Sequence, residues 1–148
     1  MKQRLELLRD EKDLLRKDIA KQMNVVESVY CEWENEKLSI PTKRLYQLAN
    51  FYETNIDYMV GLTDKRLHIK TNNELDITLV STRIKEIRKS LKMTMRELAQ
   101  KLNTSSSAIS NYENEKYLIL STFLIELCKF SNYSIDWVLG RIDDKYTK

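Results

Sequence analysis

The 148-residue sequence predicts an all-α protein of two tandem five-helix domains joined by a linker, and three observations lead there. Two glycines and one proline supply too few turn formers for an all-β chain. Apolar residues recur at helical spacing, and Ser, Thr and Asn stand where such runs begin and end. The chain also repeats itself. Shifted by 79 positions, Arg4 falls on Arg83, and the register holds without a gap to Asp64 on Asp143. Within it Ala20 meets Ala99, Asn24 meets Asn103, and Glu34-Asn35-Glu36-Lys37 recurs as Glu113-Asn114-Glu115-Lys116. Leu45/Leu124, Leu48/Leu127, Phe51/Phe130, Ile56/Ile135, Asp57/Asp136 and Gly61/Gly140 continue the coincidence. The expected organisation is repeat 1 over 1–64, a linker over 65–80, and repeat 2 over 81–148.

Repeat 2 shows its elements most clearly. Thr82 is placed to cap a first helix with Ile84, Ile87 and Leu91 on its apolar face. Thr94 caps a second, with Glu97 completing a capping box and Met95, Leu98, Ala99 and Leu102 facing inward. Asn103 tolerates the left-handed conformation that a tight turn requires. Ser105 caps a third helix carrying Ile109 and Tyr112, and a fourth holds Leu124, Leu127 and Phe130. A short fifth follows Ser134 and stops at Gly140. The linker lacks a helical period, and Leu75–Val80 reads as a short extended piece.

Composition narrows the function. The chain is 42% hydrophobic and 32% charged, which suits small helical units with much surface. No apolar run approaches the roughly 20 residues that span a bilayer, and Met1 to Asp10 carries no apolar stretch of a signal peptide. Cys31 and Cys128 stand apart from each other and from any ligand cluster, and read as reduced, buried thiols. A cytoplasmic protein without membrane contact is expected. His68, the single histidine, falls in the linker as a solvated side chain, and no phosphate-binding, nucleophile or metal-ligand motif is present. Neither catalysis nor a cofactor or metal is expected.

Two short helices joined by a three- to four-residue turn, with small Ala99 in the first, make a helix-turn-helix. Thr94-Met95-Arg96-Glu97-Leu98-Ala99, Ser107-Ala108-Ile109-Ser110-Asn111-Tyr112-Glu113-Asn114 and Ser134-Ile135-Asp136-Trp137-Val138-Leu139-Gly140 resemble the phage-repressor type of DNA-binding domain, also called the xenobiotic-response-element family. The resemblance extends to both repeats. It implies a third helix that enters the major groove of double-stranded DNA, with Ser106, Ser107, Ser110 and Asn111 reading bases. It likewise implies phosphate contacts by Thr94, Arg96, Asn114 and Lys116. In repeat 1 the corresponding second set is Arg16, Glu27, Ser28, Glu32, Asn35 and Lys37.

The family also implies internal ion pairs Arg9–Glu34 and Arg88–Glu113, with Tyr30 and Trp33 in the core. Several positions depart from its pattern. Met95 and Arg16 replace a glutamine, so a phosphate contact is lost in repeat 2 and taken up by Arg16 in repeat 1. Leu15 lacks a capping hydroxyl, Glu36 and Glu115 stand where glycine is common, and Lys12 occupies the core position of Leu91 and must snorkel. The apolar run Tyr117-Leu118-Ile119-Leu120 is expected to pack on the other repeat or on a second chain.

Charge separates the repeats. Residues 1–64 carry ten basic against twelve acidic side chains, a net of −2; residues 81–148 carry twelve against eight, a net of +4. Phosphate neutralisation supplies most non-specific affinity, so repeat 2 is the expected main reader. Repeat 1, with Glu27 and Glu32 at reading positions, is either a weak second reader or a converted protein-binding module. The sequence therefore favours a sequence-specific transcriptional regulator, a repressor acting as a homodimer. The rival is a protein-binding adaptor or inhibitor that engages its partner through repeat 1 and Tyr117–Leu120.

Overall fold

The computed structural model describes residues 4–146, and the outermost residues of the expected segments 1–64 and 81–148 lie outside it. Among the described residues there are ten helices and no strand, so the fold is all-α. The chain divides into two compact units between Asn72 and Asn73.

Unit 1 contains α1 (Leu5–Glu11), α2 (Arg16–Gln22), α3 (Glu27–Glu34), α4 (Thr42–Phe51) and α5 (Ile56–Met59). Leu5, Leu8, Ile19, Tyr30, Leu45 and Leu48 fill its core, each residue of this size contributing about 1.5–3 kcal/mol through burial. Trp33 meets Tyr30 edge to face at 6.1 Å, so both aromatics are core as expected. The Tyr30 and Tyr52 hydroxyls lie 3.4 Å apart, and burial pushes both phenols upward, Tyr52 to about 12. Lys12 snorkels: its ammonium lies 5.7 Å from the centre of the Phe51 ring.

Residues 65–70 do not behave as free linker. Asn55 Nδ2 donates to the Lys65 carbonyl at 3.1 Å, and its Oδ1 accepts from Leu67 N–H at 2.8 Å. Ile69 N–H donates to the Glu53 carbonyl, His68 bridges to Thr54, and the Ile69 side chain is buried. His68 is exposed, with Nε2 3.8 Å from a Glu53 carboxylate oxygen.

Unit 2 contains α6 (Ile77–Ser90), α7 (Met95–Leu102), α8 (Ser106–Glu113), α9 (Ser121–Ser131) and α10 (Ile135–Val138). The first of these corrects the sequence reading at two points. Helix α6 begins at Ile77, so 77–80 is helical rather than extended. Its cap is Asp76, whose carboxylate accepts from Thr78 and Leu79 N–H groups, while Thr82 donates its hydroxyl to the Thr78 carbonyl one turn back. Burial of Val80 beside Ile84 and Ile87 outweighs the modest helix propensity of this β-branched stretch. Ile84, Ile87, Leu98, Ile109, Leu124 and Leu127 form the core, and the Arg141–Asp136 ion pair is wholly buried.

Among the described residues of each unit the chain enters the left-handed region five times. The residues are Asp13, Asn24, Glu36, Glu53 and Gly61 in unit 1, and Lys92, Asn103, Glu115, Asn132 and Gly140 in unit 2. Each partner differs from its counterpart by 79. Helices α3 and α8, and α5 and α10, have bounds in that same register.

Candidate nucleic-acid interface

Helices α7 and α8 are set by their ends. Thr94 accepts from Glu97 N–H at 3.1 Å while Glu97 accepts from Thr94 N–H at 3.0 Å, completing the expected capping box. The Thr94 N–H, and then its hydroxyl, hold the exposed Glu97 carboxyl below its ordinary range. Asn103 ends α7 with φ 58°, and Thr104 N–H returns to the Ala99 carbonyl at 2.9 Å. Two residues after Asn103, Ser105 caps α8 by accepting from Ala108 N–H. Buried Ala99 lets the two helices approach closely, where a larger side chain would hold them apart.

This frame fixes which face of α8 is outward. Ile109, Tyr112 and Glu113 point inward and are buried. Ser106 and Ser107 are exposed, and Ser110 and Asn111 are half-buried, so all four expected reading residues share one stripe at i, i+1, i+4, i+5. Asn114 Nδ2 donates to Ser110 Oγ at 3.1 Å, which ties one expected phosphate residue to one expected reading residue. That hydroxyl keeps its proton for donation.

Cations flank the stripe. Arg96, in the first turn of α7, is exposed, and so is Lys116, whose ammonium lies 5.7 Å from the Tyr117 ring. Thr94 is also exposed, although its hydroxyl is committed to the cap. Glu115 takes φ 64° and its carboxylate accepts from the Thr78 hydroxyl on α6. The acidic group expected to weaken phosphate approach is thus drawn toward α6. Arg88 locks α8 to α6: Nε and Nη2 donate to the two Glu113 oxygens at 2.6 and 3.0 Å, and Nη1 donates to the Met93 carbonyl. Hydrogen bonding to Glu113 raises the Arg88 pKa despite burial.

In unit 1 the positions 79 residues earlier carry other chemistry. Arg9 Nε lies 3.1 Å from Glu34 Oε2, so this expected ion pair forms as well. Asp18 accepts from Leu15 N–H at 2.9 Å, but Leu15 returns no hydroxyl. Arg16, expected to reach phosphate, turns inward to Glu34 at 3.3 Å, with Nη1 3.9 Å from Cys31 Sγ. Glu27, Ser28, Glu32, Asn35 and Lys37 are exposed; Cys31 is half-buried rather than buried, whereas Cys128 is buried.

The apolar run after α8 divides. Ile119 is 1% exposed in the core of its own unit, while Tyr117 and Leu120 stay exposed. Sequence reasoning missed a second such feature, exposed Val26 at the cap of α3. Reading the capping positions in register, where Val26 falls on Ser105, would have found it.

Comparisons with known proteins agree with this local frame. Residues 84–138 match the helix-turn-helix family, which spans α7, α8 and the packing helices around them. A relative in Bacillus subtilis (strain 168), described as an uncharacterized HTH-type transcriptional regulator, YobD, is 36% identical over 62 residues. That stretch covers 42% of this chain and 55% of the relative, so the similarity spans about half of the relative's length. No helix among the described residues is long and apolar enough to cross a membrane. Residues 84–138 therefore hold a helix-turn-helix domain.

Proposed function

We propose that unit 2 binds double-stranded DNA sequence-specifically and that the chain is a transcriptional regulator, a repressor that inserts α8 into the major groove. One observation carries the reading: the outward stripe of α8 is polar and uncharged, and exposed Arg96 and Lys116 flank it. Hydroxyls and an amide donate to or accept from base edges, while cations grip the strands without choosing sequence. The helix-turn-helix match over the same residues supports it. Ser106, Ser107, Ser110 and Asn111 are the base-reading set, and Thr94, Arg96, Asn114 and Lys116 the phosphate set. Blocking polymerase at an operator requires no catalysis and no cofactor, and it places the protein in the cytoplasm.

Unit 1 is a second copy of the same domain; the shared register of left-handed positions and helix bounds supports this. Its third helix offers Glu27 and Glu32 where unit 2 offers Ser106 and Asn111, so a homodimer reading two half-sites with unit 2 is favoured. Such half-sites lie about 34 Å apart. A protein-binding role belongs to unit 1, favoured by its acidic α3 and by exposed Leu15 and Val26.

Selection of bound duplexes from a random pool tests the reading. A recovered palindrome supports it, and recovery of no preferred sequence overturns it. Affinity should also fall by about 10³-fold between about 50 and 200 mM salt if six phosphates are contacted.

A further inference from the structure

We infer that the α3 face of unit 1 is a docking surface for a second copy of this chain, and that it engages the α8 face of that copy's unit 2. The inference rests on the reading of unit 1 as a protein-binding copy and names its partner.

Three positions bordering α3 carry it. Leu15 caps α2, Val26 caps α3, and Leu38 follows α3 with its N–H on the Glu32 carbonyl at 3.3 Å. They are 57%, 64% and 45% exposed. The residues 79 positions on are Thr94, Ser105 and Tyr117, so two hydroxyl caps have been given up for exposed aliphatic groups. A Ser or Thr cap stabilises its helix by accepting from a free N–H, and water-exposed aliphatic groups return nothing to the free domain. Covering them by another surface does.

Charge names the occupant. Between the aliphatic groups stand exposed Glu27 and Glu32, and Arg16, which could have balanced them, is committed to Glu34. The complement is present on the same chain. The α8 face of unit 2 puts neutral residues at those two positions, keeps cations in exposed Arg96 and Lys116, and leaves Tyr117 and Leu120 exposed. Apolar side chains covered within oppositely charged surroundings give both burial and register. Exposed Lys17 and Lys37 match Arg96 and Lys116 in register, so the two faces differ in charge through Glu27 and Glu32. Two reciprocal contacts close a two-fold dimer, and both unit 2 faces are covered in it. Self-association then competes with any other ligand of the α8 face.

Cys31, half-buried on this face beside Arg16, is the reporter, and buried Cys128 is the internal control. Alkylation of the full chain is followed by peptide mass spectrometry from about 1 to 100 µM, the range in which a modest interface becomes populated. Cys31 labelling should slow several-fold as concentration rises and recover in high salt. The double variant Leu15→Thr, Val26→Ser restores capping hydroxyls, so it keeps the fold while removing the aliphatic contacts; its labelling should be independent of concentration.

Three results overturn the inference, and they differ. Protection already complete at the lowest concentration would assign the face to the chain's own unit 2. Labelling that is fast at every concentration, with or without duplex DNA, would exclude a second copy. Protection that appears only when duplex DNA is added would make unit 1 a reader, and the protein-binding reading itself would fall.

Discussion

Arg16 Nε lies 3.3 Å from Glu34 Oε2, the same oxygen that Arg9 holds at 3.1 Å. One buried carboxylate thus serves two guanidinium groups in unit 1, whereas Glu113 in unit 2 is held by Arg88 from α6. An arginine that could face a polyanion is instead spent on the interior.

The two pairs should respond differently to single changes. Arg16 is 35% exposed, so Arg16→Ala should cost no more than about 1 kcal/mol, since Arg9 keeps Glu34 paired. Arg88→Ala leaves Glu113 without its principal partner and should cost about 3–5 kcal/mol. Denaturant unfolding separates them, because Trp33 reports unit 1 and Trp137 reports unit 2. Equal losses would mean that Arg16 carries more of the pairing than its exposure allows.

Base reading predicts a split between specific and non-specific binding. Asn111→Ala should weaken binding to the selected site by about 1–3 kcal/mol and leave random duplex nearly unaffected. Lys116→Ala should weaken both alike and reduce the slope of log affinity against log salt by about one. Titration of both duplexes across a salt series measures each effect. A uniform loss from Asn111→Ala would remove it from the reading set.

How much of this was legible differs by element. In unit 2 the capping signals at Thr94, Glu97, Asn103 and Ser105 are local chemistry, and all four adopt the roles their types favour. The outward stripe of α8 follows from those ends and a helical period. The start of α6 was hidden because Ile77, Thr78 and Val80 favour extended backbone when read alone, and only the burial of Val80 in the folded unit decides otherwise. The docking of 65–70 was hidden too, since it depends on both ends of the Asn55 amide and carries no period. Arg16 looked like a phosphate ligand because its alternative partner, Glu34, lies eighteen positions away.

The capping box gives a pH dependence with a definite sign. Glu97 has a folded-state pKa below its ordinary value of 4.5, chiefly because its carboxylate accepts from the Thr94 N–H. Its contribution is present above the unfolded pKa and is lost as pH falls through the lower folded value. The stability difference between wild type and Glu97→Gln should therefore shrink on acidification from about pH 6 to about pH 3. Thr94→Ala, which removes the reciprocal acceptor, should cost about 1 kcal/mol at neutral pH. A difference that grows on acidification would contradict the box.

Lys92 has φ 57°, a conformation that costs an L-residue about 1–2 kcal/mol. Lys92→Gly removes that cost but loosens the unfolded chain by about 0.5–1 kcal/mol, so a net gain of about 0.5 kcal/mol is expected. Glu115, at φ 64°, should gain less from the same change, since its carboxylate also accepts from Thr78. The two unfolding midpoints, compared at constant denaturant slope, decide the order.

Gly140 joins the two ends of unit 2. It has φ 79°, and a Cβ built there would lie 2.7 Å from Leu79 Cδ2, in the first turn of α6. Gly140→Ala therefore meets two separable penalties: about 1–2 kcal/mol for a side chain in left-handed backbone, and about 1–3 kcal/mol for overpacking. Leu79→Ala removes the contact and leaves the backbone term. In a double-mutant cycle Gly140→Ala should thus cost less in the Leu79→Ala background than alone, by the overpacking share. Strict additivity would mean that Leu79 swings clear without cost, and that the start of α6 is not what requires glycine at this position.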